Sequence, residues 1–188
     1  MRAAVPLFVQ NGYRGAPLAA VADADAAQLT QPGLLHHFPS KEHLLMAVLE
    51  ERDSESRAAM REALQEGGDA ALHALEDLVE RNAGTPELVQ LFTVLVGEAV
   101  AADHPAHAFF VDRYDHIRDR ITAAIRHGQE TGTFRTDTDP ETVATLVIAM
   151  MDGLQIQWLL HRELDMNRTF RQFVTILRHH LTTHDQPS

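Results

Sequence analysis

The stretch that decides the fold is Leu29-Thr30-Gln31-Pro32-Gly33-Leu34-Leu35-His36-His37-Phe38-Pro39-Ser40-Lys41-Glu42. It predicts a short helix, a stop, and a second helix that Ser40 caps and Glu42 supports in its first turn. The short helix has few apolar side chains to spare for a core, yet it presents Thr, Gln and two His along one rod. A rod of this size and polarity suits the major groove of DNA.

The composition narrows the class of protein. A chain of 188 residues is long enough for one large domain or for a small domain joined to a larger one. It contains no cysteine, which excludes disulfides, thiolate metal sites and cysteine nucleophiles. No run of about 18 apolar residues predicts a membrane span, and Pro6 interrupts any signal-peptide pattern. We therefore expect a soluble, cytoplasmic protein.

The charge is unevenly distributed along the chain. The formal net charge is -11, which by itself disfavours a polyanionic partner. Residues 1–41, however, carry three basic and two acidic side chains, whereas the remainder carries 13 basic and 25 acidic ones. A nearly neutral first segment on an acidic body is compatible with DNA binding by the first segment alone.

Apolar residues recur at intervals of three and four throughout the chain, and no stretch predicts a strand. Prolines and glycines separate the periodic segments. Gly67-Gly68 and Gly84 predict helix ends, and Thr85-Pro86-Glu87, Asp103-His104-Pro105 and Asp139-Pro140-Glu141 each predict a helix start. The sequence predicts an all-α fold.

The helix that Asp139-Pro140-Glu141 opens is apolar on two sides and must be buried on two sides. One stripe contains Val143, Leu146, Val147, Met150, Leu154 and Trp158, and the other contains Ala144, Ile148, Met151 and Leu159. The final helix supplies only part of the cover, so we expect a twofold-related copy and a four-helix interface. A central core helix in a single chain is the alternative. The expected interface residues are Val147, Ile148, Met151, Leu154, Leu159, Phe170, Phe173, Val174 and Leu177.

Residues 3 to 50 resemble the DNA-binding head of TetR-family transcriptional repressors. The resemblance rests on Ala3-Ala4-Val5-Pro6-Leu7-Phe8, on Gly12-Tyr13, and most strongly on the segment 29–45. The run from Met151-Asp152-Gly153-Leu154-Gln155 to Leu160 is similar to the interface helix of actinobacterial-type members. The resemblance implies a three-helix helix-turn-helix domain at residues 1–44, with a truncated first helix, and a helical ligand-binding and dimerisation domain at residues 45–188.

The resemblance also implies a function. The chain would be a ligand-responsive repressor that binds a pseudo-palindromic double-stranded DNA operator as a homodimer and is released by a small-molecule effector. Thr30, His37, Lys41 and Tyr13 would contact phosphates, and Gln31 with Pro32 would face base edges, where a glutamine amide matches adenine. The complete set of DNA-binding candidates is Tyr13, Thr30, Gln31, Pro32, Gly33, Leu35, His36, His37 and Lys41.

Two departures from the family pattern motivate an alternative. The first helix is truncated, and the link at residues 22–28 is two residues longer than usual. In addition, Ala16-Pro17 replaces the usual Thr-Ser cap. The alternative is a dimeric helical ligand-binding protein with impaired or lost DNA binding.

A small-molecule site is expected between the helices of the body, because helical bundles place ligands there. Arg113 and His116 are the candidate polar anchors. The candidate ligand-binding residues are Phe92, Phe109, Phe110, Arg113, Tyr114, His116, Met150, Met151, Gln155 and Trp158. Aromatic and Met side chains at helical spacing also suit an ordinary core.

The sequence contains few motifs that would indicate an enzyme or a metal site. The best histidine cluster is His104-x-x-His107 with Asp103 and Asp112, but Pro105 places His104 at a helix boundary. The chain has no Gly-x-Ser-x-Gly elbow, no His-Glu-x-x-His motif and no phosphate-binding glycine loop. We expect no catalytic residues, no metal and no cofactor. A metal-dependent helical enzyme is the second rival.

Overall fold

The computed structural model describes residues 4–16 and 38–182. These residues form helices, joined by turns and one isolated antiparallel bridge between Phe134 and Thr182. The all-α fold expected from the sequence is confirmed. The helices are α1 Ala4–Gly15, α2 Lys41–Glu66, α3 Gly68–Ala83, α4 Pro86–Ala99, α5 His107–Glu130, α6 Pro140–Leu160 and α7 Met166–Leu181.

Short-range capping by an aspartate sets the starts of α6 and α7. Asp139 precedes α6 and accepts a hydrogen bond from the Thr142 N–H at 2.9 Å, with Pro140 in the first position of the helix. Asp165 caps α7 in the same way, through the Arg168 N–H at 2.9 Å. Each cap satisfies a backbone donor that has no partner inside the helix. These starts therefore follow from adjacent residues.

The start of α5 differs from the expectation. Asp103-His104-Pro105 lies before the helix, which begins at His107. The His104 Nδ1 accepts the Ala106 N–H at 3.2 Å, and the His104 carbonyl accepts the His107 N–H at 2.9 Å. The His104 side chain thus closes the turn that precedes the helix, and Pro105 belongs to the same turn.

Gly67 and Gly68 separate α2 from α3, as the sequence predicts. Both residues have positive φ angles, 68° and 55°, which residues with a Cβ rarely adopt. α2 therefore ends at Glu66, and the next residues turn the chain into α3.

The chain divides by packing into two units, and the first consists of Met1–Glu55 with Thr85–Asp112. Within it, α1 packs against α4. Its buried apolar side chains include Phe8, Leu44, Leu45, Val48, Leu49, Val89, Leu91, Leu95 and Phe110. The division expected at residue 44, between DNA-binding and ligand-binding domains, concerns function and stays a prediction.

The second unit consists of Ser56–Gly84 with Arg113–Ser188. Within it, α7 packs against both α3 and α6. The turn after α5 is tied to the helix by the Phe134 N–H, which donates to the Gly128 carbonyl at 2.9 Å. Its buried apolar side chains include Leu72, Leu75, Val79, Ile121, Ile125, Phe134, Val147, Leu154, Trp158, Phe170, Val174 and Leu181.

Two helical glycines predict opposite effects of the same substitution. A Cβ at Gly128 would overlap the buried Phe134 ring, so Gly128→Ala should destabilise by about 1–3 kcal/mol through overpacking. A Cβ at Gly97 would meet nothing within 4 Å, so Gly97→Ala should stabilise by about 0.5–1 kcal/mol. Thermal unfolding followed by circular dichroism measures both effects. Wild-type stability of Gly128→Ala would contradict the described packing of Phe134.

Candidate functional site

Two of the DNA-binding candidates, Tyr13 and Lys41, lie in the described residues. The other seven fall outside them, so their placement stays a prediction; they are Thr30, Gln31, Pro32, Gly33, Leu35, His36 and His37.

Tyr13 and Lys41 are brought together at the start of α2. The Lys41 Nζ lies 4.7 Å from the centroid of the Tyr13 ring, within the range of a cation–π interaction. The same ammonium donates a hydrogen bond to the Arg14 carbonyl at 3.2 Å. Burial lowers the pKa of Lys41, and the Glu98 carboxylate opposes that shift. The two candidates therefore form one basic, partly desolvated group.

The end of α1 contains a backbone kink that the sequence did not reveal. Gly12 has φ 64° and ψ -178°, values outside the helical region, and the helix resumes at Tyr13. The kink leaves the Tyr13 N–H without an ordinary partner in the helix. The Glu98 carboxylate of α4 accepts it instead, with an N–Oε2 distance of 2.8 Å.

His104 lies on the other side of the same carboxylate. Its side chain is buried, its Nε2 is 3.6 Å from Glu98 Oε2, and its ring packs edge-on against Tyr13 with centroids 5.2 Å apart. Phe8 stacks on Tyr13 at 6.5 Å. The Tyr13 ring is thus surrounded by aromatic neighbours and an ammonium. Burial, followed by the charge of Glu42, raises the pKa of its phenol.

The histidine pair weighed for metal binding has other partners. The His104 Nδ1 accepts the Ala106 N–H in the turn before α5, and the His107 Nδ1–H donates to the Ala99 carbonyl at 2.8 Å. Within residues 4–16 and 38–182, no group of three or more His, Asp or Glu side chains has a geometry that could hold a metal ion.

Three ligand-binding candidates form an aromatic cluster in the first unit. Phe110 is buried and lies edge-to-face against both Phe92 and Phe109, with centroid distances of 5.8 Å and 5.2 Å. Edge-to-face pairs of this kind stabilise an apolar core as readily as they line a ligand site.

The second unit contains a hydrogen-bonded polar pair, Tyr114 and Asp152, of which the sequence predicted only Tyr114 as a ligand-binding residue. Tyr114 of α5 was a ligand-binding candidate, and its hydroxyl donates to Asp152 Oδ2 of α6 at 2.7 Å. Burial raises the pKa of Asp152, although the Tyr114 hydroxyl and the Arg113 charge oppose this shift. Burial and then the Asp152 carboxylate raise the pKa of Tyr114 well above its usual range. Asp152 is the functional candidate that sequence reasoning missed.

The remaining ligand-binding candidates differ in exposure. Trp158 is buried, and the Arg162 guanidinium lies 3.7 Å from its ring centroid. Met150, Met151 and Gln155 are half-buried on α6, whereas His116 is exposed on α5.

The candidates for a dimer interface fall into two groups. Ile148, Met151, Leu159 and Phe173 are half-buried, whereas five others are covered by their own chain, namely Val147, Leu154, Phe170, Val174 and Leu177. The strongly exposed apolar residues of α6 and α7 are different ones: Leu146, Ile156, Leu160 and Ile176. The apolar stripe that includes Leu146 is therefore not buried throughout, because Leu146 lies at its edge and faces outward.

Comparison with known proteins identifies the family to which the chain belongs. Residues 1–48 match the family described as bacterial regulatory proteins, tetR family, and residues 67–185 match the BetI-type transcriptional repressor C-terminal family. The second match alone covers more than half of the chain. The chain belongs to the TetR family.

Relatives of this TetR-family regulator span several functions. The A-factor receptor protein of Streptomyces griseus is 25% identical over 158 residues, 82% of this chain and 51% of the receptor. The chain thus spans about half the length of that relative. The repressor AcnR of Corynebacterium glutamicum is 23% identical, over 78% of this chain and 72% of the relative. A Saccharomonospora viridis regulator in complex with choline has a similar fold, with TM-score 0.79, 22% identity and coverage of 97% and 95%.

Family membership assigns the general role. The two matched family descriptions are those of bacterial regulatory proteins and of a transcriptional repressor, so the general role of the chain is that of a transcriptional regulator. The helix Pro140–Leu160 has a mean hydropathy of 1.5 over 18 residues and passes a membrane-span test by length and composition alone. One helix of this kind is weak evidence for a membrane, because a helix of a soluble protein passes the same test.

The Tyr114–Asp152 pair predicts a pH-dependent effect of Asp152→Asn. The raised pKa means that the charged carboxylate is less favourable in the folded than in the unfolded chain. This cost is absent below the unfolded pKa of about 4 and grows as the pH rises through the folded pKa. Asparagine still accepts the Tyr114 hydrogen bond.

Asp152→Asn should therefore raise the melting temperature at pH 7, and the gain should disappear as the pH falls towards about 4. Thermal unfolding of wild type and variant across this range measures the difference. A gain that is independent of pH would contradict the assignment of the cost to the carboxylate charge.

Proposed function

We propose that this regulator is a repressor that binds a pseudo-palindromic operator as a homodimer and leaves it when a small-molecule effector binds. The observation that carries the proposal is the family match of residues 1–48, which include every DNA-binding candidate, on a chain whose later helices expose an apolar face. Homodimers place two identical heads in successive major grooves, about 34–36 Å apart, so that operator symmetry mirrors protein symmetry.

The exposed face of α6 supports the dimer. Leu146 is 59% and Leu160 73% exposed, and Ile156 lies on the same side of the helix at helical spacing. Gly153 lies between them, and a Cβ there would meet nothing within 4 Å. Several large apolar side chains exposed on one helix face are more typical of a subunit interface than of a monomer surface. A second copy would cover it with the same helix, as a twofold axis requires.

The effector site is proposed in the helical body. Ligand sites combine apolar walls with a few polar groups that fix orientation. The partly buried Tyr114 and Asp152, with Arg113 beside them, are such polar groups. An effector that prefers the released conformation by about 100-fold would shift the equilibrium by about 2.7 kcal/mol per site. The choline bound to the Saccharomonospora viridis regulator supports a small organic molecule as the class of effector.

DNA binding is tested with duplex from upstream of the chain's own gene. We expect retardation in a gel, with affinity that falls steeply as salt rises because phosphate contacts release counterions. A coding fragment of equal length is the control and should bind more weakly. If neither fragment binds at low salt, the chain is instead the dimeric ligand-binding protein without DNA affinity.

Dimerisation is tested with one apolar-to-charged substitution on α6 and one elsewhere. Leu146→Glu should convert the dimer to a monomer, because a carboxylate would be buried in the interface without a partner. Val100→Glu is the matched control, since Val100 is 78% exposed and follows α4 rather than lying on α6. Size-exclusion chromatography with light scattering gives the masses. A wild-type monomer at micromolar concentration would refute the dimer.

A further inference from the structure

Glu98 stands out because its carboxylate serves several groups at the end of α1. We propose that Glu98 is a positioning residue for DNA binding: it holds the turn that begins at Tyr13, and through that turn the Lys41 ammonium, where both reach phosphates. The inference rests on the proposed function. Glu98 itself is not expected to touch DNA.

The first step concerns the backbone at the kink. Because Gly12 is not helical, Tyr13 starts a new turn and its N–H needs an acceptor. The Glu98 Oε2 supplies it at 2.8 Å. A carboxylate at the start of a helical turn is also favoured by the local dipole. Glu98 therefore acts as a cap that comes from another helix.

The second step concerns the space at Gly12. A Cβ there would overlap Glu98 Oε1, and the φ of 64° is one that glycine adopts most readily. Both carboxylate oxygens of Glu98 thus contact the kink in α1. Oε2 accepts the Tyr13 N–H, and Oε1 fills the space that is free because Gly12 has no Cβ. The fit fixes α1 relative to α4 at a single side chain, within the first unit.

The third step links the turn to Lys41. The Tyr13 ring and the Arg14 carbonyl belong to the turn that Glu98 caps, and both contact the Lys41 Nζ. A lysine side chain loses considerable rotamer freedom when it is ordered. An ammonium held in place before DNA arrives loses less of that freedom on binding. Removal of Glu98 would release both Tyr13 and Lys41.

The opposite role is physically possible and is distinguishable. Glu98 is negative, and its charge acts on Lys41, so it could compete with phosphate for the ammonium. The positioning role predicts weaker DNA binding without the carboxylate, whereas competition predicts stronger binding. The salt dependence separates the positioning role from a general loss of stability, because each phosphate contact contributes about 0.9 to the slope of log affinity against log salt.

The experiment measures affinity for a mixed-sequence duplex of about 40 base pairs, long enough for both heads, at several salt concentrations. Glu98→Ala should bind about tenfold more weakly at low salt and lower the slope by about 1 for each phosphate that a head no longer neutralises. Glu98→Gln should keep the wild-type slope, because its carboxamide oxygen still accepts the Tyr13 N–H. Glu87→Ala, on the exposed first turn of α4, is the control and should match wild type.

A double-mutant cycle with Lys41→Ala completes the test. If Glu98 acts through Lys41, Glu98→Ala should change the slope less in the Lys41→Ala background than in wild type. Should Glu98→Ala fold poorly by circular dichroism, Gly12→Ala displaces the same carboxylate and should lower the slope in the same way.

Several outcomes overturn the inference. Glu98→Ala with wild-type slope and affinity, or with tighter binding, excludes the positioning role while DNA binding by wild type stands. Equally weakened binding by the Ala and Gln variants would assign the effect to charge instead of to the cap. Failure of the wild-type protein to bind any duplex would refute the proposed function itself, and the inference with it.

Discussion

A helix that is apolar around most of its circumference has to be covered on more than one side, and α6 imposes this requirement on the second unit. Its inner stripe, with Val147, Leu154 and Trp158, is buried in the chain, and α7 packs beside it. Its outer side keeps Leu146 and Leu160 exposed. One chain thus buries only part of the apolar surface of α6. The apolar surface that stays exposed is the physical basis of the proposed dimer.

The first unit depends on the pairing of backbone hydrogen-bond donors. The kink at Gly12 would leave the Tyr13 N–H unpaired, and a buried or half-buried donor without an acceptor is costly. Glu98 removes this cost from a position 85 residues away in the chain. The same contact places an aromatic ring and a carbonyl around Lys41, so one local defect in α1 organises the basic group that is proposed to meet DNA.

In both units, several buried or half-buried polar side chains form hydrogen bonds with other groups of the protein. Twelve histidines suggest metal chemistry by number alone, yet His104 accepts a backbone N–H in a turn and His107 donates to a backbone carbonyl. Asp152 accepts from Tyr114 in a similar way. These bonds offset part of the cost of burial, although the buried Nε2 of His104 has no hydrogen-bond partner. At the Tyr114–Asp152 pair the raised pKa of the aspartate indicates that the offset is incomplete, which suits a group that a ligand could also engage.

The sequence by itself determined the helical class and several helix boundaries, because Asp139 and Gly67 act on residues within a few positions of themselves. The segment 29–45 was also enough to predict the family, since the polar pattern of a recognition helix is local. Only the tertiary structure decided that Glu98 pairs with Tyr13 and that Tyr114 pairs with Asp152. It also decided which side of α6 faces outward. Periodicity shows which residues share a face of a helix, but the partner of that face depends on how distant helices pack, and no local pattern encodes that packing.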